Sequence, residues 1–283
     1  MNPFFRIEGI ASLPGFEFES PCRHYASYAY LEDHVALCRV LTKFKIFVDT
    51  RDRGIAPHLI MDGFWETWLT QYLAKIVQPG NTCLDIGANV GYFSVLMSAL
   101  AGDKGRTIAF EPIPGIAKLL RLTAGVNGPG FEVAELALAA KEGILQLQIP
   151  EGSFGEASIV DRTDRLIVPK TSIDVRTTTL DHFLEEMDIK KVDIIKMDVE
   201  GAEPFVFEGM KQTIAKNKNL QLIIEYSPFL YEDPRGFTEY LFSNFNVSRI
   251  KDVEQIEDLN ESAMDTLLNL TDHTDLYLRR KNG

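Results

Sequence analysis

The thirteen residues T-C-L-D-I-G-A-N-V-G-Y-F-S at 82–94 constrain the fold more than any other stretch. Cys83, Leu84 and Ile86 form an apolar run that stops at a glycine-rich turn. Beyond it, Val90, Phe93, Met97 and Leu100 recur at helical spacing. This pattern predicts a buried strand, a tight loop and a helix. Gly87 and Gly91 allow a sharp bend and let a ligand approach the backbone with no Cβ in the way. The helix N-terminus after the loop offers free N–H groups to an anionic group. The dinucleotide fingerprint G-x-G-x-x-G is not met, because the loop reads G-A-N-V-G with Asn89 two residues after Gly87. Asp85, just before the loop, would repel a pyrophosphate but suits the ammonium end of a methionine moiety. The loop thus favours S-adenosylmethionine (SAM) over NAD, with Asp85, Gly87, Asn89 and Gly91 as contacts.

A second apolar run, Thr107 to Phe110, ends in Glu111, where nucleotide folds place a carboxylate on the ribose hydroxyls. Val192 to Asp198 reads as a fourth strand and Leu220 to Ile224 as a fifth ending in Glu225; Phe131 to Leu138 is the third. Strand and helix alternate from 82 to about 225, which predicts a parallel sheet with helices on both faces. Ligands in such sheets sit beyond the carboxyl ends of the strands. Asp85, Glu111, Asp198 and Glu225 all fall at that edge.

Around this frame, Glu66 to Val77 predicts an amphipathic helix whose Trp65 and Trp68 pack into the core, with Glu66 placed to reach the ligand's amino group. Thr179 is expected to cap a short helix carrying His182, and Pro204 to open one helix over 204–216. Ile144 to Ile149 predicts a hairpin strand, and the loop 151–157 a substrate lid. Residues 1–63 form a separate extension: an arm over 1–23 that packs by its aromatics, then strands near 35–37 and 44–48. Residues 64–283 form the main domain.

The formal net charge of −12 argues against sequence-independent nucleic-acid binding, which needs a basic patch. Three cysteines match no zinc framework and suit a reducing, cytoplasmic setting. No signal peptide or membrane-spanning run is evident. Phe4, Phe5, Phe16 and Phe18 leave a homodimer contact or a lid open.

Three segments in this order, L-D-I-G-A-N-V-G-Y-F-S at 84–94, F-E-P at 110–112 and I-K-M-D-V-E-G-A-E at 195–203, resemble the FkbM family of SAM-dependent methyltransferases. The resemblance implies a class I methyltransferase fold: a Rossmann-like, seven-stranded, mostly parallel sheet whose last strand is antiparallel. It also implies methyl transfer from SAM to a hydroxyl of a small molecule, a sugar or polyketide-like natural product. By position, the loop Gly87 to Gly91 would hold the methionine part, Glu111 the ribose, and the strand end at Leu138 the adenine. Asp198 would line the methyl-transfer site, with Glu200 and His182 as further candidate bases. A cation between Asp198 and Glu225 lacks an evident third ligand, so no metal is expected. A macromolecular acceptor and an inactive SAM-binding scaffold are the alternatives.

Overall fold

The computed structural model describes residues 6–128, 130–150, 152, 170–251 and 255–281. Its strands, in chain order, are β1 (Ser27–Tyr30), β2 (Val35–Val40), β3 (Phe44–Asp49), β4 (Thr82–Ile86), β5 (Arg106–Phe110), β6 (Glu132–Ala134) and β7 (Ala137–Leu138). They continue with β8 (Gly143–Pro150), β9 (Lys170–Thr178), β10 (Ile194–Met197), β11 (Gln221–Tyr226), β12 (Phe245–Ile250), β13 (Ile256–Leu259) and β14 (Thr274–Arg280). The main helices are α1 (Gly15–Tyr25), α2 (Ile55–Met61), α3 (Thr67–Ile76), α4 (Tyr92–Ala101), α5 (Pro114–Val126), α6 (Leu180–Glu186), α7 (Glu203–Glu208), α8 (Lys211–Lys216), α9 (Pro234–Asn244) and α10 (Met264–Leu268).

The central sheet has the order β13-β12-β14-β11-β10-β4-β5-β6. Strands β6, β5, β4, β10 and β11 pair in parallel, and β14 runs antiparallel between β11 and β12. The expected seven strands are all present. An eighth, β13, pairs antiparallel with the outer strand β12 and extends the edge.

Side-chain alternation assigns the two faces. Cys83, Ala109, Ile194 and Ile223 point into one apolar layer, shared with α3, α4 and the N-terminal extension. Leu84, Phe110, Ile195 and Ile224 point into the other, beneath α6, α7 and α9. Both layers are built of buried apolar side chains, so the sheet is covered on both faces.

The expectations fail in three places, each for a local reason. The third strand splits: β6 stays in the central sheet, whereas β7 leaves it to pair with β9 in a second sheet of order β7-β9-β8. The helix expected over 204–216 breaks into α7 and α8 at Gly209. A Cβ there would lie 2.1 Å from the Ala139 carbonyl oxygen, so the chain passes close by only as glycine. The Gly209 carbonyl accepts from the Asp181 N–H, and the Asp181 carboxylate then caps α8 by accepting from Gln212 and Thr213 N–H at 2.8 and 2.7 Å. The N-terminal arm is also regular in part, forming α1, where Phe18 is fully buried and Phe16 is 71% exposed. The lid expected at 151–157 lies, apart from Gly152, outside the described residues.

Strands β1, β2 and β3 form a sheet of their own, which is fastened to α5. Asn127 brackets Lys45, accepting from its N–H at 2.9 Å and donating to its carbonyl at 2.6 Å. Thr123 Oγ1 accepts from the Phe47 N–H at 3.1 Å.

Candidate active site

A cavity of about 730 Å³ opens at the carboxyl ends of β4, β5, β10 and β11. Its floor is the turn after β4. The Gly87 and Ala88 N–H groups both donate to the Phe110 carbonyl, at 3.1 and 2.9 Å, which draws the turn across the end of β5. Asn89 sits in the left-handed region at φ 50, and its N–H donates to Glu111 Oε2 at 3.0 Å. Glu111 Oε1 accepts from the Ile113 N–H at 2.9 Å. This carboxylate is only 6% exposed, and among the described residues no cation lies at hydrogen-bonding distance from it. Burial pushes it up to about 7, against the pull of the two N–H donors.

The next wall comes from β10. Lys196 is nearly buried, with Nζ 3.1 Å from Asp198 Oδ2, 4.0 Å from Asp85 Oδ1 and 5.1 Å from the centre of the Phe93 ring. Burial alone would push its ammonium down; Asp198, Asp85 and Glu66 raise it above the usual lysine range. Glu66, Glu200 and Glu225 line the same cavity. Glu66 and Glu200 hold left-handed backbone, at φ 39 and 55. Burial, then Asp275 and Asp198, push the Glu66 carboxyl up; burial, then Asp198 and Glu200, do so for Glu225. Strained backbone and crowded carboxyls at one cavity are what a binding site accumulates and a plain core avoids.

The structure gathers Glu66, Gly87, Asn89, Glu111, Leu138, Asp198 and Glu200 around this cavity. Three expected site residues fall outside its lining. Asp85 is fully buried under the loop, where its Oδ2 accepts from Ser94 Oγ at 2.5 Å and its Oδ1 lies 4.0 Å from Lys196 Nζ. Gly91 turns away: a Cβ there would meet Leu120 at 2.5 Å, which makes it a packing glycine between α4 and α5. His182 lies on the outer face of α6, 43% exposed, with Nε2 2.9 Å from Glu142 and 3.4 Å from Glu186. Its backbone N–H is capped by Thr179 as expected.

Several lining residues gave no signal in the sequence. Lys196 stood inside an apolar strand. His273 precedes β14 and enters the site only because that strand is antiparallel. Gly54, Ile55 and Trp65 come from the chain before β4. The two tryptophans are not simple core: Trp65 lines the cavity, and Trp68 Nε1 donates to Asp275 Oδ2 at 2.7 Å. Oxygens of Asp198, Glu200 and Glu225 come within 4.8 Å of one another, supplying the third carboxylate that the sequence left out. Acidic groups gather in this way without an ion, and no metal is assigned to them.

The sheet order, with its antiparallel strand and the cavity at the parallel strand ends, defines a class I methyltransferase fold. The chain belongs to the FkbM methyltransferase family, whose domain model matches residues 85–281. It is 28% identical over 160 residues to the 2-O-methyltransferase NoeI of Sinorhizobium fredii, a match covering 52% of this chain and 65% of NoeI. It is 25% identical over 144 residues to the hexuronic acid methyltransferase AglP of Haloferax volcanii, covering 50% of this chain and 55% of AglP. The chain thus spans less than two thirds of these relatives. Among solved structures, the Methanococcus jannaschii fibrillarin pre-rRNA processing protein superposes with a TM-score of 0.44 at 12% identity, covering 91% of this chain and 99% of that one. A likeness of that size says nothing about the acceptor. No helix among the described residues is long and apolar enough to cross a membrane.

Proposed function

We propose that the protein transfers a methyl group from SAM to a hydroxyl of a small molecule, a sugar or polyketide-like natural product. The observation that carries the reading is Glu111: a buried carboxylate at the tip of β5, facing the cavity beside the Gly87–Asn89 turn. A carboxyl kept there against its desolvation cost fits two ribose hydroxyl donors, which ionised glutamate accepts well. Glu66 and Asp198 suit the cofactor's ammonium, and Leu138 with Ile113 offers an apolar slot for the adenine. When bound, SAM supplies an electrophilic methyl group on a sulfonium. The chain's own work is to hold the acceptor oxygen in line with that carbon and to exclude water. Gly54, Ile55 and Trp65 also line the cavity, and their apolar surface is in keeping with a carbon-rich acceptor face. The names of NoeI and AglP support transfer to sugar-like acceptors.

Calorimetric titration with S-adenosylhomocysteine, alongside NAD, tests the reading. Micromolar binding of the first, weakened by about 1–3 kcal/mol in Glu111→Ala, is the expected result. Binding of NAD instead would overturn it.

A further inference from the structure

The reading above leaves the acceptor's proton without a destination. The acceptor belongs at the ends of β10 and β11, since the turn after β4 and Glu111 on β5 are given to the nucleotide. Because β14 runs antiparallel to β11, its first residues lie at that same edge: Thr274 pairs with Tyr226. His273, one residue earlier, lines the cavity there. Its Nδ1 lies 3.2 Å from Asp272 Oδ1 and 4.0 Å from Glu225 Oε2. Glu225 is in turn held by Ser227 Oγ, which donates to its Oε1 at 3.2 Å.

We propose that His273 is the general base of the transfer, with Glu225 as its positioning residue. The assignment rests on the methyltransferase reading above. With Nδ1–H turned toward the two carboxyl groups, Nε2 keeps the lone pair. As the acceptor oxygen bonds to the methyl carbon, the carbon–sulfur bond breaks and its electron pair returns to sulfur. The hydroxyl proton passes to Nε2. The products are an ether, a neutral thioether and an imidazolium.

Charge decides between His273 and the carboxyl groups nearby. The cavity already holds Glu66, Asp198, Glu200 and Glu225, and Asp198 is committed to Lys196. A carboxylate base would have to be one of these groups kept ionised in a crowded, partly desolvated site, where burial and neighbouring carboxylates favour its protonated form. A neutral imidazole adds no charge. Its Nδ1 keeps Asp272 on its own loop and Glu225 on β11 as neighbours, at 3.2 and 4.0 Å.

The test uses the full chain, S-adenosylhomocysteine, SAM and a panel of methyl glycosides. His273→Gln and His273→Asn should bind S-adenosylhomocysteine within twofold of the wild type. Both should lose about 10²-fold or more in kcat on any glycoside that the wild type methylates, with the KM for SAM unchanged. In the wild-type complex with S-adenosylhomocysteine, that glycoside should shift the ¹⁵N resonances of the His273 imidazole. Unchanged kcat, or parallel loss of kcat and S-adenosylhomocysteine affinity, would overturn the assignment and leave the methyltransferase reading standing. Failure of the wild type to bind S-adenosylhomocysteine would sink that reading itself. Binding without transfer to any glycoside, and without a His273 shift, would remove the sugar acceptor and His273 as its base together.

Discussion

Gly87 and Asp198 meet backbone to backbone: a Cβ placed on Gly87 would lie 1.8 Å from the Asp198 carbonyl oxygen. The turn after β4 and the end of β10 are therefore in contact across the sheet edge, and their spacing depends on a missing methyl group. Gly87 also holds φ +79. Gly87→Ala should both strain the backbone and push β10 away, with loss of S-adenosylhomocysteine binding. Gly80 is the control, having φ +88 but nothing within 4 Å of its Cβ position. Gly80→Ala should cost only about 1–2 kcal/mol and leave binding intact. Thermal unfolding with parallel calorimetry separates the two.

Lys196 is the counter-charge for carboxylates on two strands. Lys196→Met would leave Asp85 buried with an unpaired charge, at a cost of about 3–5 kcal/mol. Adding Asp85→Asn should recover part of that loss, because the amide carries no charge and can still accept from Ser94. Urea denaturation of the two single variants and the double variant gives the coupling directly.

Glu111 makes nucleoside affinity depend on pH. Its carboxyl is raised from 4.5 to about 7, and ligand hydroxyls favour the ionised form. Below about 7 the group holds a proton that binding must expel, so affinity is full above that pH and lost as pH falls through it. The loss should approach about tenfold per unit for one proton. Calorimetry from about pH 5.5 to about pH 8.5 should show this slope, and Glu111→Gln should flatten it.

His182 provides a contrast with the cavity. Its partners are the exposed Glu142 and Glu186. His182→Ala should change stability by no more than about 0.5 kcal/mol and leave S-adenosylhomocysteine affinity within twofold. A tenfold loss of affinity would place His182 back in the site.

Features that repeat along the chain were legible in the sequence. The β4–turn–α4 signal, Glu111 at the end of β5 and the β10 motif each bring their own local pattern, and all three fall at one edge of the sheet. Asp85 was misplaced because a carboxylate at a strand end gives no sign of which layer it enters; Ser94 and Lys196 draw it inward. The sequence singles out His182 on its helix and gives no sign of His273. What separates them is strand direction over more than fifty intervening residues, a tertiary fact with no local periodicity. The split at Gly209 was hidden for a similar reason, since it depends on the distant Ala139 carbonyl.

The family match starts at Asp85, whereas Gly54, Ile55, Trp65 and Glu66 come earlier in the chain. Residues inside and outside the family match thus share one chamber. The match takes in the Gly87–Asn89 turn, Glu111 and Asp198 but not Gly54, Ile55 or Trp65, and the sheet just before those three is fastened to α5 through Asn127 and Thr123. A hybrid that exchanges residues 1–63 should therefore redirect the choice of acceptor only if the new piece brings partners for those two side chains.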